Sequence, residues 1–202
     1  MDCVPWLTMT VFARALPLFP SSAKCGYCAE YVRLQMNIDD QKFMATEGLI
    51  QWLAACVRQG QKLAELYARL FLDTNALERR LAILDSHTQG HFFVIAAAHV
   101  LGYRAWARNL GMLSQVDFSE IDKFNQRDIR DLRNMREHVV DYFSGIGNNQ
   151  DRWIIETPEY SADASSVVGT LIGGRLDYQA FSVAAEIVLQ EVLNASNRQN
   201  HR

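Results

Sequence analysis

The sequence has no apolar run of membrane-spanning length. The longest, Phe92 to Val100, is interrupted by His99 and reads as a core helix. It has no strong charge of either sign, since 20 Lys and Arg face 23 Asp and Glu for a formal net charge of −3. That balance excludes strong long-range attraction to nucleic acid, so any RNA contact must be a local basic patch or brief. No internal repeat and no low-complexity block is present. Cysteine is scarce: Cys3, Cys25, Cys28 and Cys56. Cys25-Gly-Tyr-Cys28 is a lone C-x-x-C, and the second pair that four-thiolate zinc needs is absent. The cysteines therefore read as plain free thiols, with a zinc site that recruits histidines as the alternative.

What is present is globular. Hydrophobic residues make up 49% and charged residues 21% of 202, enough for one ordinary domain with a real core. Met1 to Ala23 is apolar, but Asp2 is its only early charge and Pro5, Pro17 and Pro20 interrupt it, so it does not read as a signal peptide. Residues 1–40 show no sustained period and are expected to form a loosely attached arm, with Met36 or Met44 as an alternative first residue. A cytoplasmic location is the expectation from these readings.

The apolar period then becomes helical. Leu49, Trp52, Leu53, Cys56, Leu63, Leu66 and Leu70 predict a helix over Thr46–Phe71, with Gly60 as a point of bending. Asn75 is placed to cap the next helix, with Glu78 completing a capping box. That helix starts at Ala76 with Leu77, Leu81 and Leu84 as its apolar face, and a break is expected near Ser86–Gly90. From His91 the pattern resumes to Leu110, and Gly111 ends it. Asp117 or Ser119 is expected to cap a third helix that runs through Ile121 and Phe124 to Phe143, where Gly145 and Gly147 stop it and Asn148-Asn149 forms a loop.

Trp153-Ile154-Ile155 and Val167 to Ile172 are short β-branched runs, which predict a two-stranded hairpin within about 152–175. Asp177 caps a last helix with the stripe Phe181, Ala184, Ala185, Val188 and Val192. The fold class expected is all-α: an up-and-down bundle of four main helices with a small β-hairpin insertion before the last helix. One domain spans 41–194, and residues 195–202 form a frayed tail.

Residues Asp128 to Phe143, DIRDLRNMREHVVDYF, hold the densest set of groups able to bind or move protons. Ile129, Leu132, Met135, Val139, Tyr142 and Phe143 form the apolar stripe. Arg130, Arg133, Asn134, Glu137, His138 and Asp141 occupy the other face. Within it, Arg133, Asn134 and His138 form an R-N-x-x-x-H string. This string resembles the signature of HEPN domains, the "higher eukaryotes and prokaryotes nucleotide-binding" helical bundles, whose pattern is Arg, four to six residues, then His, often with a polar residue after the Arg. The resemblance covers roughly Thr46 to Phe143.

The resemblance implies a metal-independent endoribonuclease without cofactor, a toxin or defence component that cuts RNA. It implies a homodimer with a composite site, RNA as substrate, and an antitoxin or regulatory protein as partner, with no role for a membrane. His138 would take the proton of a ribose 2′-hydroxyl, because imidazole titrates near neutral pH. Arg133 would hold the phosphate as charge builds on its oxygens. Asn134, one turn before His138, would bond to it or to the phosphate. At about 100° per residue, Arg133 and His138 stand about 140° apart on one helix, so a two-fold partner would have to bring one protomer's Arg to the other's His.

Arg136 projects towards the apolar side and is expected to pair with an acid. Asp128, Asp131, Glu137 and Asp141 surround the string and would repel RNA unless neutralised. A plain solvated helix face has the same composition, and a non-catalytic helical module for dimerisation or for nucleotide or partner binding is the alternative reading. His87 and His91 stand at metal-ligand spacing, but no acidic partner joins them. With His99 they read as buried or hydrogen-bonded histidines, and the aromatic residues as core.

Overall fold

The computed structural model describes residues 37–72, 75–147 and 150–200. The expectations for the arm over residues 1–36, for Cys3, Cys25 and Cys28, and for the Asn148-Asn149 loop lie outside the described residues. The protein is mostly helical, with a small antiparallel strand region before its last helix.

Helix α1 spans Ile38–Leu72. It starts eight residues before the expected Thr46 because Asn37 caps it, accepting from the N–H groups of Asp39 at 3.0 Å and Asp40 at 2.8 Å. Asp39 and Asp40 suit the positive end of the helix dipole. Leu49, Leu53, Cys56, Gly60, Leu63 and Leu66 form its buried stripe. Burial also pushes the Cys56 thiol up, so it remains a thiol and packs as a small apolar group. The helix continues unbroken through Gly60. There α1 meets the last helix so closely that a Cβ on Gly60 would fall 1.8 Å from Ser182 Oγ. Glycine is required there for the close approach.

Helix α2 spans Ala76–Asn109, with the Asn75 side chain accepting from the Leu77 N–H at 2.9 Å. The expected break at Ser86–Gly90 is absent. Ser86 Oγ donates to the Ile83 carbonyl and Thr88 Oγ1 to that of Leu84, so both hydroxyls bond back along the helix. Leu77, Leu81 and Leu84 are exposed, and the buried positions of this segment are Ala82, Ser86 and Gly90. Small residues at a spacing of four admit close neighbours, whereas the larger leucines face outward. Beyond them Phe93, Val94, Ala97, Val100 and Leu101 enter the core. Gly111, at φ +70°, ends the helix in a Schellman motif, with Met112 N–H donating to the Ala107 carbonyl and Gly111 N–H to that of Arg108.

The expected single helix from Ile121 to Phe143 is three helices: α3 (Ser119–Asp122), α4 (Gln126–Glu137) and α5 (Val139–Phe143). The first break has a cause in the sequence, because Asn125 caps α4 by accepting from the Arg127 N–H at 3.0 Å. The second falls at His138, with φ −113° and ψ 33°. The β-branched pair Val139-Val140 comes next and weakens helix continuation. No residue of α5 is fully buried, so core packing does little to override that preference. Phe143 is therefore exposed instead of joining the core stripe.

The insertion is two small sheets, not one hairpin. Strands β1 (Ile154–Glu156) and β2 (Ser161–Asp163) pair antiparallel with Ile155 opposite Ala162. Strands β3 (Val167–Val168), β4 (Leu171–Ile172) and β5 (Leu176–Asp177) form a meander. The two apolar runs expected to pair thus belong to different sheets. At Gly173, φ is +56° and a Cβ would lie 2.4 Å from Leu132 Cδ2, so the meander rests directly on α4. Helix α6 spans Tyr178–Asn200, capped by Asp177, whose Oδ1 accepts from the Ala180 N–H at 3.0 Å. Ala195 extends the buried stripe, and the helix passes Asn194 to Asn200. Helix α2 and α6 pack along α1, and α4 packs on α2. Among the described residues no helix is long and apolar enough to cross a membrane.

Arg136 ties these pieces together. It is 8% exposed, and among the described residues its partners are backbone carbonyls instead of the expected acid. Its Nε donates to the Ala164 carbonyl at 2.7 Å, its Nη2 to Ser165 at 2.8 Å and Ser166 at 3.2 Å, and its Nη1 to His87 of α2 at 3.2 Å. Asp163 shapes the receiving loop, since its Oδ1 accepts from the N–H groups of Ser165 and Ser166. Burial pulls the Arg136 pKa down to about 10, against the opposing charge of Asp163, and it stays cationic at neutral pH. Arg136→Leu would leave these carbonyls without their donor. A loss of about 3 kcal/mol or more is expected, read as a melting temperature lower by roughly 10 °C. Arg136→Lys should recover little of it, because one ammonium cannot copy the planar fork.

Candidate functional site

The break at His138 opens a cleft of about 350 Å³. Its walls carry Asn134 and Met135 from the end of α4, His138 at the break, Asp141 and Tyr142 from α5, and Ile146 and Gly147 beyond it. Asp131 and Arg152 close the far side. Tyr142 is supported from behind by the Trp153 ring, with centroids 5.3 Å apart.

Two of the three residues singled out in the sequence meet here, and the third does not. Asn134 and His138 both line the cleft, while Arg133 does not. Arg133 Nε sits 2.6 Å from Glu137 Oε2, one turn on, and its Nη1 donates to Asn134 Oδ1 at 3.2 Å. Asn134 therefore contacts Arg133 through its side chain and not the imidazole of His138. Its backbone carbonyl does accept from the His138 N–H, at 3.0 Å. The His138 Nδ1 lies 3.5 Å from Asp141 Oδ2. An Nδ1–H facing that carboxylate leaves Nε2 as the basic nitrogen.

Three of the four acids around the string are matched by arginines. Arg152 reaches Asp128 Oδ1 at 2.6 Å and also pairs with Asp131, which Arg127 approaches at 3.7 Å. Glu137 is held by Arg133. The repulsion that four bare carboxylates would exert on RNA is thereby reduced. Sequence reasoning misses Arg152 as part of the site. It lies 24 residues from Asp128 in a separate element, and no local pattern links the two.

Three further histidines lie among the described residues, and none of them lines this cleft. His99 stacks on Trp52 with centroids 4.2 Å apart and planes 16° from parallel. His87 and His91 flank Gly90, where the Arg136 guanidinium passes within 3.5 Å of the place a Cβ would occupy. Among the described residues no group of three or more His, Cys, Asp or Glu could hold a metal ion. Burial, then the Arg136 charge, lowers the pKa of both His87 and His91, against weaker pulls from Asp163 and Glu137 respectively. The unfolded chain therefore takes up protons first as pH falls through the ordinary histidine value of about 6.5. Their contribution is complete above that value and is lost below it, towards the lowered folded-state values. Melting measured from pH 7.5 to 5 should show falling stability, and His87→Gln with His91→Gln should flatten the fall. An unchanged slope in the double variant would assign the pH dependence to other groups.

Comparison of the chain with protein-family models, with curated proteins and with solved structures gives no match in any of the three.

Proposed function

We propose that the protein is a cytoplasmic, metal-independent endoribonuclease of the HEPN type that works as a homodimer, as a toxin or defence component. The observation that carries this reading is the solvent-open cleft in which His138 and Asn134 face the same space. His138 removes the proton of a ribose 2′-hydroxyl. The 2′-oxygen bonds to phosphorus, the bond to the 5′-oxygen breaks, and the proton is returned to that leaving oxygen. The products are a 2′,3′-cyclic phosphate and a 5′-hydroxyl. Arg133 of the opposite protomer stabilises the charge on the phosphate.

The dimer has support of its own. Val140, Phe143 and Ile146 are 71%, 76% and 73% exposed and adjoin the cleft. Apolar groups this exposed and this close together fit an interface. A two-fold contact there would bring each Arg133 near the other chain's His138. A second reading is favoured by the Arg133–Glu137 pair, which must open before Arg133 can hold a phosphate. If it does not open, the protein is a non-catalytic helical module that dimerises or binds a nucleotide or partner protein. An antitoxin or regulatory protein is a partner under either reading.

His138→Ala and Arg133→Ala should each lower RNA cleavage about a hundredfold or more, with the fold intact because both side chains are largely exposed. Cleavage should persist in EDTA and leave cyclic phosphate ends. Mixed dimers of the two variants should regain one of two sites and roughly half the activity. No recovery in verified mixed dimers would remove the shared-site mechanism. Separately, Phe143→Glu should convert a dimer seen by light scattering into a folded, inactive monomer. A wild-type chain that is monomeric at micromolar concentration would count against the composite site.

A further inference from the structure

A second cleft, of about 320 Å³, opens between the last turns of α2 and the first turns of α4. Its polar groups are Arg104, Arg108 and Asn109 from α2, with Gln126 and Arg130 from α4, and no carboxylate lines it. Arg108 and Arg130 are exposed and make no ion pair among the described residues. Arg104 is 5% exposed. Its Nη2 meets Asp122 Oδ1 at 2.5 Å, and its guanidinium lies 5.2 Å from the centre of the Phe118 ring. Its Nη1 is buried without a hydrogen-bond partner among the described residues. Asp122 thus balances one of three guanidiniums, and a buried donor remains unused. Unused buried donors are uncommon and mark a place where a further acceptor fits.

We infer that this cleft is a phosphate-binding site distinct from the His138 cleft. Guanidiniums present planar pairs of N–H donors that match phosphate oxygens, and Arg104 is held rigid by Asp122 and Phe118. Asn109 and Gln126 add amide donors. The phosphate comes either from an RNA strand or from a free phosphate or nucleotide. The RNA source rests on the ribonuclease reading, and the site itself does not. Geometry connects the two, because Arg130 and Arg133 lie three residues apart on one face of α4. A strand with one phosphate between Arg108 and Arg130 would run along that face towards the string.

The test uses the full chain and two probes. Inorganic phosphate and pyrophosphate, compared with chloride at equal ionic strength, should raise the melting temperature of the wild type and of His138→Ala alike. Arg108→Gln and Arg130→Gln should each weaken pyrophosphate about tenfold, and should leave melting in chloride unchanged because both side chains are exposed. In the His138→Ala background, binding of a single-stranded RNA is then measured against salt. A slope lower by about 1.4 in the double variant, about 0.7 for each lost contact, identifies the strand as the source. An unchanged slope, with the pyrophosphate effect lost, identifies a free phosphate or nucleotide. A wild type whose melting ignores phosphate and pyrophosphate, or a double variant that responds as the wild type does, overturns the site. Absence of RNA cleavage beside a normal pyrophosphate response would defeat the ribonuclease reading and leave this site standing.

Discussion

The buried guanidinium of Arg136 is the constraint on which the functional end of the molecule depends. It satisfies carbonyls from the loop after β2 and one from α2, and so joins three parts of the chain. The apolar contribution is local: Ile129, Leu132 and Met135 seal α4 against the core, and Gly173 lets the meander rest on Leu132. A charged group in such a place is stable only while its partners are in position. The loop shaped by Asp163, the close approach at Gly90 and the rotation of α4 are consequently fixed together.

The long elements are legible in the sequence because their stripes are strong and their caps local. Asn75, Asp177 and Gly111 act where the pattern puts them, and the α6 stripe is buried throughout. What is not legible depends on neighbours. Gly60, and the cluster Ser86 to Gly90, have the composition of breaks. In the fold they are places of close approach, because helices cross where side chains are small. Conversely, Val139 and Val140 continue an apolar pattern but neither is fully buried, so local preference weighs more and the helix breaks at His138. The strand pairing differs from expectation because two- and three-residue strands carry too little period to choose a partner.

The candidate site is half legible for a related reason. A string on one helix shows which groups are available, and Asn134 and His138 do share the cleft. It does not show which charges arrive from elsewhere. Arg152 enters from beyond α5 and takes up Asp128 and Asp131, which changes the electrostatic character of the cleft. The acids along α4 that weigh against an RNA-binding face are largely paired, while Arg130 near its start and Arg108 in the last turn of α2 form no ion pair among the described residues. The net charge of −3 is therefore a poor guide to this surface, since screening confines charge effects to about 10 Å.

The rotation of α4 sets how the string can be used. With Arg136 directed inward, about 100° per residue places Arg133 about 60° from it and Asn134 about 160° from it. Arg133 is thereby held at the border of the buried face, within reach of Glu137 but not of the cleft. Turning α4 to bring Arg133 round would pull Arg136 out of its carbonyls, at a cost comparable to losing a buried ion-pair partner. The break at His138 frees only α5 and the chain beyond it, so it can re-aim the imidazole but not Arg133. A phosphate beside His138 must then be held by some other cation. Arg152, the cation already in the cleft, is committed to two carboxylates. In the proposed homodimer that cation would be Arg133 of a second chain, released from its own Glu137 and arriving across the exposed surface of Val140, Phe143 and Ile146. The proposed shared site thus draws on the anchoring of α4 by Arg136 as well as on the spacing within the string.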